Sequence, residues 1–148
     1  MNIKEFNSLE EIEKYYDEKS NTFIFKENGN YIDLVVFNFD FDAGANIEAG
    51  SIDALNITAL NIRAWNVDSG DLHVLNIDAW DIYACDIEAK NIEAWDIKAR
   101  NIVAQDINYY AVCYAGNNIK CKSIKGRKRN AKHFVLDGKL ETENDQTI

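Results

Sequence analysis

The sequence predicts an all-β fold: a single β-solenoid of five-residue rungs, closed at its N-terminal end by a helix and hairpin. Three observations predict it. Thirteen consecutive pentapeptides from Asn46 each carry an aliphatic residue at their second position. Their first position is Asn or Asp in twelve, Ser51 being the exception, and their fourth is Ala in ten, departing at Ser69, Val74 and Tyr109. The outward aromatics Trp65, Trp80, Trp95 and Tyr110 recur at a spacing of fifteen residues.

A period of five fits neither a helix at 3.6 residues per turn nor a plain strand at 2.0. Within each unit, positions two and four share one face of a short strand. Ile47, Ile52, Ile57, Ile62, Val67, Leu72, Ile77 and their successors to Ile107 therefore point inward, each with a small neighbour. Positions three and five point outward. The Asn or Asp marks a corner, since Asx residues tolerate unusual backbone angles and hydrogen-bond neighbouring amides. Rungs stacked about 4.8 Å apart then bury a continuous aliphatic column.

The pairs of Asn or Asp with Ile, Leu or Val, recurring every five residues over about 65 residues, resemble the pentapeptide-repeat family. That resemblance implies a right-handed β-helix with four sides per coil. The chain departs from the family pattern in one respect. The small residue follows the aliphatic by two positions instead of preceding it. The preceding position holds Leu55, Leu60, Trp65, Leu75, Trp80, Lys90, Trp95 and Arg100, side chains too large for a narrow interior. The end of the chain (YYAVCYA, IKCKSIKG, KHFVLDG) resembles uncharacterised bacterial and phage-associated proteins with NI-x-A repeats, a resemblance that implies no activity.

Charge patterning favours three units per coil. In that register Arg63 falls between Glu48 and Asp78, a favourable cross-strand arrangement, and the aromatics form one column. Four units per coil would scatter the Trp residues and stack Glu48, Asp68 and Glu88 as like charges.

The flanks read as caps. Residues 1–44 form an N-terminal capping segment. Ser8 to Glu11 is a capping box opening a helix over 8–19, followed by strands over 22–26 and 31–41 with a turn at Glu27-Asn-Gly-Asn30. The solenoid spans 45–126, with Ile119, Cys121 and Ile124 facing inward in a last, looser coil. Residues 127–148 form a C-terminal cap whose end, past Glu141, reads as frayed.

Composition narrows the function classes. The net charge is −9, which disfavours a general nucleic-acid binder. Residues 116–148 reverse the sign, with eight bases against four acids. No run approaches the ~20 apolar residues of a membrane helix, so no membrane partner is expected. The N-terminus lacks a signal-peptide core. Cys85, Cys113 and Cys121, an odd set without CxxC spacing, suggest reduced thiols and a cytoplasmic protein, with a Cys113–Cys121 disulfide the lesser alternative.

No catalytic constellation stands out. His73 and His133 have no metal-spaced partner, and there is no phosphate loop, nucleophile elbow or HExxH. Corner Asp columns such as Asp71 under Asp86 supply too few oxygens for Ca²⁺. No enzyme, cofactor or metal is expected. Two surface features remain. One is the aromatic column Trp65, Trp80, Trp95 and Tyr110, either a protein interface or a face covered by the flanking segments, with carbohydrate stacking a third use. The other is the basic set Lys120, Lys122, Lys125, Arg127, Lys128 and Arg129, which either solubilises the last coil or contacts acidic partners. The function expected is a structural or protein-interaction scaffold, self-associating through the aromatic face. Two alternatives are an acidic DNA-mimicking inhibitor, a role the family resemblance implies, and nucleic-acid binding by the basic coil.

Overall fold

The computed structural model describes residues 1–146. They form a stacked parallel β-solenoid of about seven turns with almost no helix. The register decides the coil length. Ile57 pairs with Leu72, Ile62 with Ile77 and Val67 with Ile82, each fifteen residues apart. Three rungs therefore make a coil, and the solenoid has three sides, not the four of the resemblance.

The repeat supplies β8 (Asn46–Glu48), β9 (Ser51–Ala54), β10 (Ile57–Ser69) and the long run β11 (Leu72–Gly126). Every second-position aliphatic from Ile47 to Ile107 is buried, and most fourth-position Ala residues join them. Corner amides stack as well. Asn61 Nδ2 donates to Asn46 Oδ1 at 2.7 Å, Asn76 to Asn61 at 2.6 Å and Asn91 to Asn76 at 2.8 Å. Each rung thus supports the next through backbone, core and corner together.

The N-terminal segment is more deeply built into the solenoid than a lid. A strand that the sequence reading missed, β1 (Ile3–Phe6), pairs in parallel with β6 (Leu34–Phe37). β6 in turn pairs with β9. On a second side, β3 (Thr22–Ile24) pairs with β8, and on the third, β7 (Phe41–Asp42) pairs with β10. The expected strand over 31–41 is thus broken twice, at residues 32–33 and at a corner over residues 38–40.

The expected helix over 8–19 shrinks to α1 (Leu9–Ile12) and a 3₁₀ turn (Glu13–Tyr15). Tertiary pairing overrides local propensity here. β2 (Tyr16–Asp17) is drawn into an antiparallel pair with β3, so the chain must leave the helix after Tyr15. The capping box does not form, because Glu11 reaches past the N-cap Ser8 to the residue before it. Glu11 accepts the backbone N–H of Asn7 at 2.8 Å, while Ser8 makes no side-chain cap. The turn at 27–30 is present, joining β4 (Lys26–Glu27) to β5 (Asn30–Tyr31) with positive φ at Asn28 and Gly29, as a tight hairpin demands.

The C-terminal end closes with β12 (Lys132–Val135) on Val112–Ala115 and β13 (Leu140–Asp145) on Ile119–Ile124. The paired strand runs to Asp145, so residues 142–145 are not frayed; their backbone groups complete the ladder begun by the last coil. Thr147 and Ile148 lie outside the described residues.

Candidate interaction face

The side that begins at the Asn46 column carries the aromatic residues at its far edge. Trp65 and Trp80 stack with ring centroids 6.2 Å apart and planes 18° from parallel; Trp80 and Trp95 follow at 5.8 Å and 22°. Tyr110 continues the column at 5.8 Å from Trp95. The structure adds a fifth ring that the sequence did not reveal. Tyr31 meets Trp65 edge-on at 6.2 Å. The repeat position below Trp65 is Gly50, where a Cβ would collide with the Ile32 carbonyl oxygen. The hairpin backbone needs that space, and Tyr31 supplies the side chain that Gly50 lacks.

Among the described residues neither flanking segment covers this ladder. Trp80 and Trp95 are each 54% exposed, and Trp65 and Tyr110 are partly open as well. An indole is wider than the ~4.8 Å rung spacing, so the rings cannot lie flat side by side and must stack on one another. The ladder therefore shows ring edges to solvent. Sugars stack on ring faces, so carbohydrate recognition fits this arrangement poorly.

Two columns flank the ladder. On one side run Glu48, Arg63, Asp78, Glu93 and Asn108, with Arg63 directly opposite Glu48 and Asp78 in register. On the other run Ser51, Asn66, Asp81 and Asp96. Burial, and then the neighbouring Asp96, push the Asp81 carboxyl above its ordinary range; burial and Asp68 do the same to Asp53. Lys26 sits 4.4 Å from the Tyr31 ring centroid and closes the lower end.

The basic residues lie on the last coil and on the turn that follows it. Lys120, Lys122 and Lys125 are exposed while Ile119, Cys121 and Ile124 are buried, as strand alternation requires. Lys120 stands opposite Glu141. Arg127 binds Glu93 at 3.1 Å and the Ala94 carbonyl at 3.3 Å. Lys128 follows Tyr110 at the top of the ladder, its N–H bonded to the Tyr110 carbonyl. Arg129 is exposed at the turn before β12. Acidic neighbours thus offset part of the cationic field.

Two further features were hidden in the sequence. A hollow of about 400 Å³ opens on the next side, lined by Tyr83, Lys98, Val112, Tyr114 and Phe134 among others. It arises where the coil gains a residue, because the Val112 N–H reaches Asp96, sixteen residues back. The second is the plug of the C-terminal end. Tyr109, the large exception among the Ala positions, is fully buried, and its hydroxyl lies 3.0 Å from His133 Nδ1. His133 Nε2 is 3.0 Å from Asp145. Gly126 lies over the Tyr109 ring, where a Cβ would press on the hydroxyl.

Cys113 and Cys121 are free and buried, and burial pushes the Cys113 thiol up to about 12, leaving an inert thiol. Cys85 is free and exposed. His73 lies 3.4 Å from Glu88 on the surface. Among the described residues no group of three His, Cys, Asp or Glu side chains could hold a metal ion, and no helix is long and apolar enough to cross a membrane. Comparison with family models, curated proteins and solved structures found no match.

Proposed function

We propose that this chain is a non-enzymatic scaffold whose aromatic ladder is a protein-docking face, for a protein partner or a second copy of itself. The ladder carries the reading: five aromatic rings in one continuous column, with Trp80 and Trp95 each 54% exposed. Contiguous exposed apolar surface of this kind is uncommon on monomers, and Trp and Tyr concentrate in binding hot spots. The pentapeptide-repeat resemblance and a cytoplasmic setting belong to the same proposal, supported by the five-residue period and the free thiols.

All three tryptophans belong to the ladder, so selectively excited tryptophan emission reports on it alone. Acrylamide quenching should fall as the ladder is covered, either by rising chain concentration or by partner. Trp80→Asp should abolish that protection, with circular dichroism unchanged. Quenching that stays constant at every concentration, with a solution mass of 16.9 kDa, would remove the self-association reading. The acidic-mimic alternative draws support from the stacked carboxylates Asp53–Asp68 and Asp81–Asp96. A topoisomerase supercoiling assay that is indifferent to excess protein would remove it. Nucleic-acid binding by the basic coil has thinner support, since Arg127 and Lys120 already face acids.

A further inference from the structure

The ladder reads the same from both ends. Its rings run Tyr31, Trp65, Trp80, Trp95, Tyr110, so a two-fold operation at the level of Trp80 exchanges Tyr31 with Tyr110 and Trp65 with Trp95. A face that matches its own reverse suits an isologous contact, in which each copy offers the same surface to the other. Two such arrangements bring ladder against ladder. With the axis parallel to the solenoid the copies run the same way. With the axis across it they run in opposite directions.

The flanking columns discriminate between them. In the parallel arrangement the axis runs along the ladder, so each flank meets the opposite flank at the same rung. Asp78 then faces the second copy's Asp81, and Glu93 its Asp96, each contact occurring twice and every one between like charges. No opposite charges meet. In the antiparallel arrangement each flank meets its own reverse. Arg63 of each copy then faces Glu93 of the other, twice, and Asn66 faces Asp96, twice. Asp78 and Asp81 each meet their own equivalent once, near the axis. Asp78 is already opposite Arg63 in its own chain. Lys26 and Lys128, at the two ends of the ladder, meet lysine in either arrangement and decide nothing. Charge complementarity across an interface fixes register and orientation more than affinity.

The geometry points to an antiparallel homodimer formed ladder against ladder, its two-fold axis at Trp80 and its direction set by reciprocal Arg63–Glu93 pairs. This inference rests on the docking-face reading and commits it to one occupant and one orientation. The face is small. Five rungs of ~4.8 Å by about five residues of ~3.3 Å give on the order of 400 Å² per copy, near half of a standard interface. The dimer is accordingly a weak and reversible one, seen as concentration-dependent association.

Sedimentation velocity over a wide concentration range tests it, with circular dichroism on each variant to establish the fold. Arg63→Glu should weaken dimerisation at least tenfold, and Glu93→Arg likewise. The double exchange Arg63→Glu with Glu93→Arg should restore it to within about threefold. Because Glu93 also holds Arg127, a second measurement avoids those residues. Asp78→Cys, in a chain with Cys85→Ser, should be joined to its equivalent by a bis-maleimide of about 10 Å reach, the distance between packed sheet faces, since the two copies of position 78 meet at the axis. If Trp80→Asp abolishes association but the exchange does not restore it and position 78 does not cross-link, the docking face stands and the antiparallel arrangement falls. A wild-type chain that stays monomeric throughout overturns the dimer and leaves the ladder as a docking face for a different protein only.

Discussion

The N-terminal 44 residues and the repeat that follows build the same solenoid with different interiors. The repeat lines its core with Ile and Ala, one pair per rung, and stacks them in three straight columns. The N-terminal segment fills the same cross-section with rings: Phe6, Tyr15, Phe23, Phe25, Phe37 and Phe41 pack on one another at centroid distances of 4.7 to 6.4 Å. The difference follows from position. A middle rung is covered above and below by identical neighbours, so a small regular side chain suffices. A terminal coil has a neighbour on one side only and must seal the open end, which takes larger side chains and irregular backbone. The C-terminal end solves the same problem with one ring, Tyr109, beneath Gly126 and Ala131.

Substitutions that exchange the two logics should separate the regions, the largest effect coming from the aromatic end. Phe37→Ala, at 1% exposure, should cost about 3–5 kcal/mol in urea denaturation. Ile77→Val in the middle of the repeat should cost only about 0.5–1.5 kcal/mol, because it removes one methyl group. An equal loss at both positions would dissolve the distinction. Gly50→Ala lies at the seam. Its Cβ collides with backbone, and a loss of about 1–3 kcal/mol is expected, with a change in tryptophan emission as Tyr31 is displaced from Trp65.

The corner ladder belongs to the repeat alone. Asn76→Ala removes the bond to Asn61 and the bond from Asn91, and should lower stability by about 1 kcal/mol. The smallest effect concerns charge. Asp81 is held above the usual carboxylate range by burial and then by Asp96, so its ionised form weakens the fold at neutral pH. Asp81→Asn should raise Tm slightly at pH 7, and the gain should narrow as pH falls through the raised pKa toward ~3.9. Asp86 has the opposite sign. The Arg100 guanidinium, bonded to it at 2.8 Å, lowers its pKa, so its contribution is present above the ordinary Asp range and is lost only at more acidic pH. Thermal melts of Asp81→Asn and Asp86→Asn against pH should therefore diverge at neutral pH and converge in acid.

Much of the repeat was legible because its information is local. Which side chains of 46–109 face inward follows from strand alternation and the Asx corner, two residues at a time. The aromatic column was legible as a spacing of fifteen. The flanks were harder to read for a physical reason. Ser8 to Glu11 carries a helix signal, yet Tyr16–Asp17 gains more by pairing with Thr22–Phe23. Ile3–Phe6 carries no pattern of its own, and becomes a strand only because β6 offers an edge. Tyr31 lies nineteen residues before Gly50, and no periodic rule connects them.

By itself, then, the sequence determined the five-residue rung, the identity of the buried columns and the residues able to form an aromatic face. Hydrophobic alternation and corner chemistry act between near neighbours, so they can be read along the chain. Tertiary structure decided between the three-rung coil that the charge pattern favours and the four-rung coil of the resemblance, and it alone placed Tyr31 in the ladder in place of Gly50 and Arg127 on Glu93. Each of these depends on hydrogen bonds and packing between segments fifteen or more residues apart, where a residue's neighbour is set by how the coils stack.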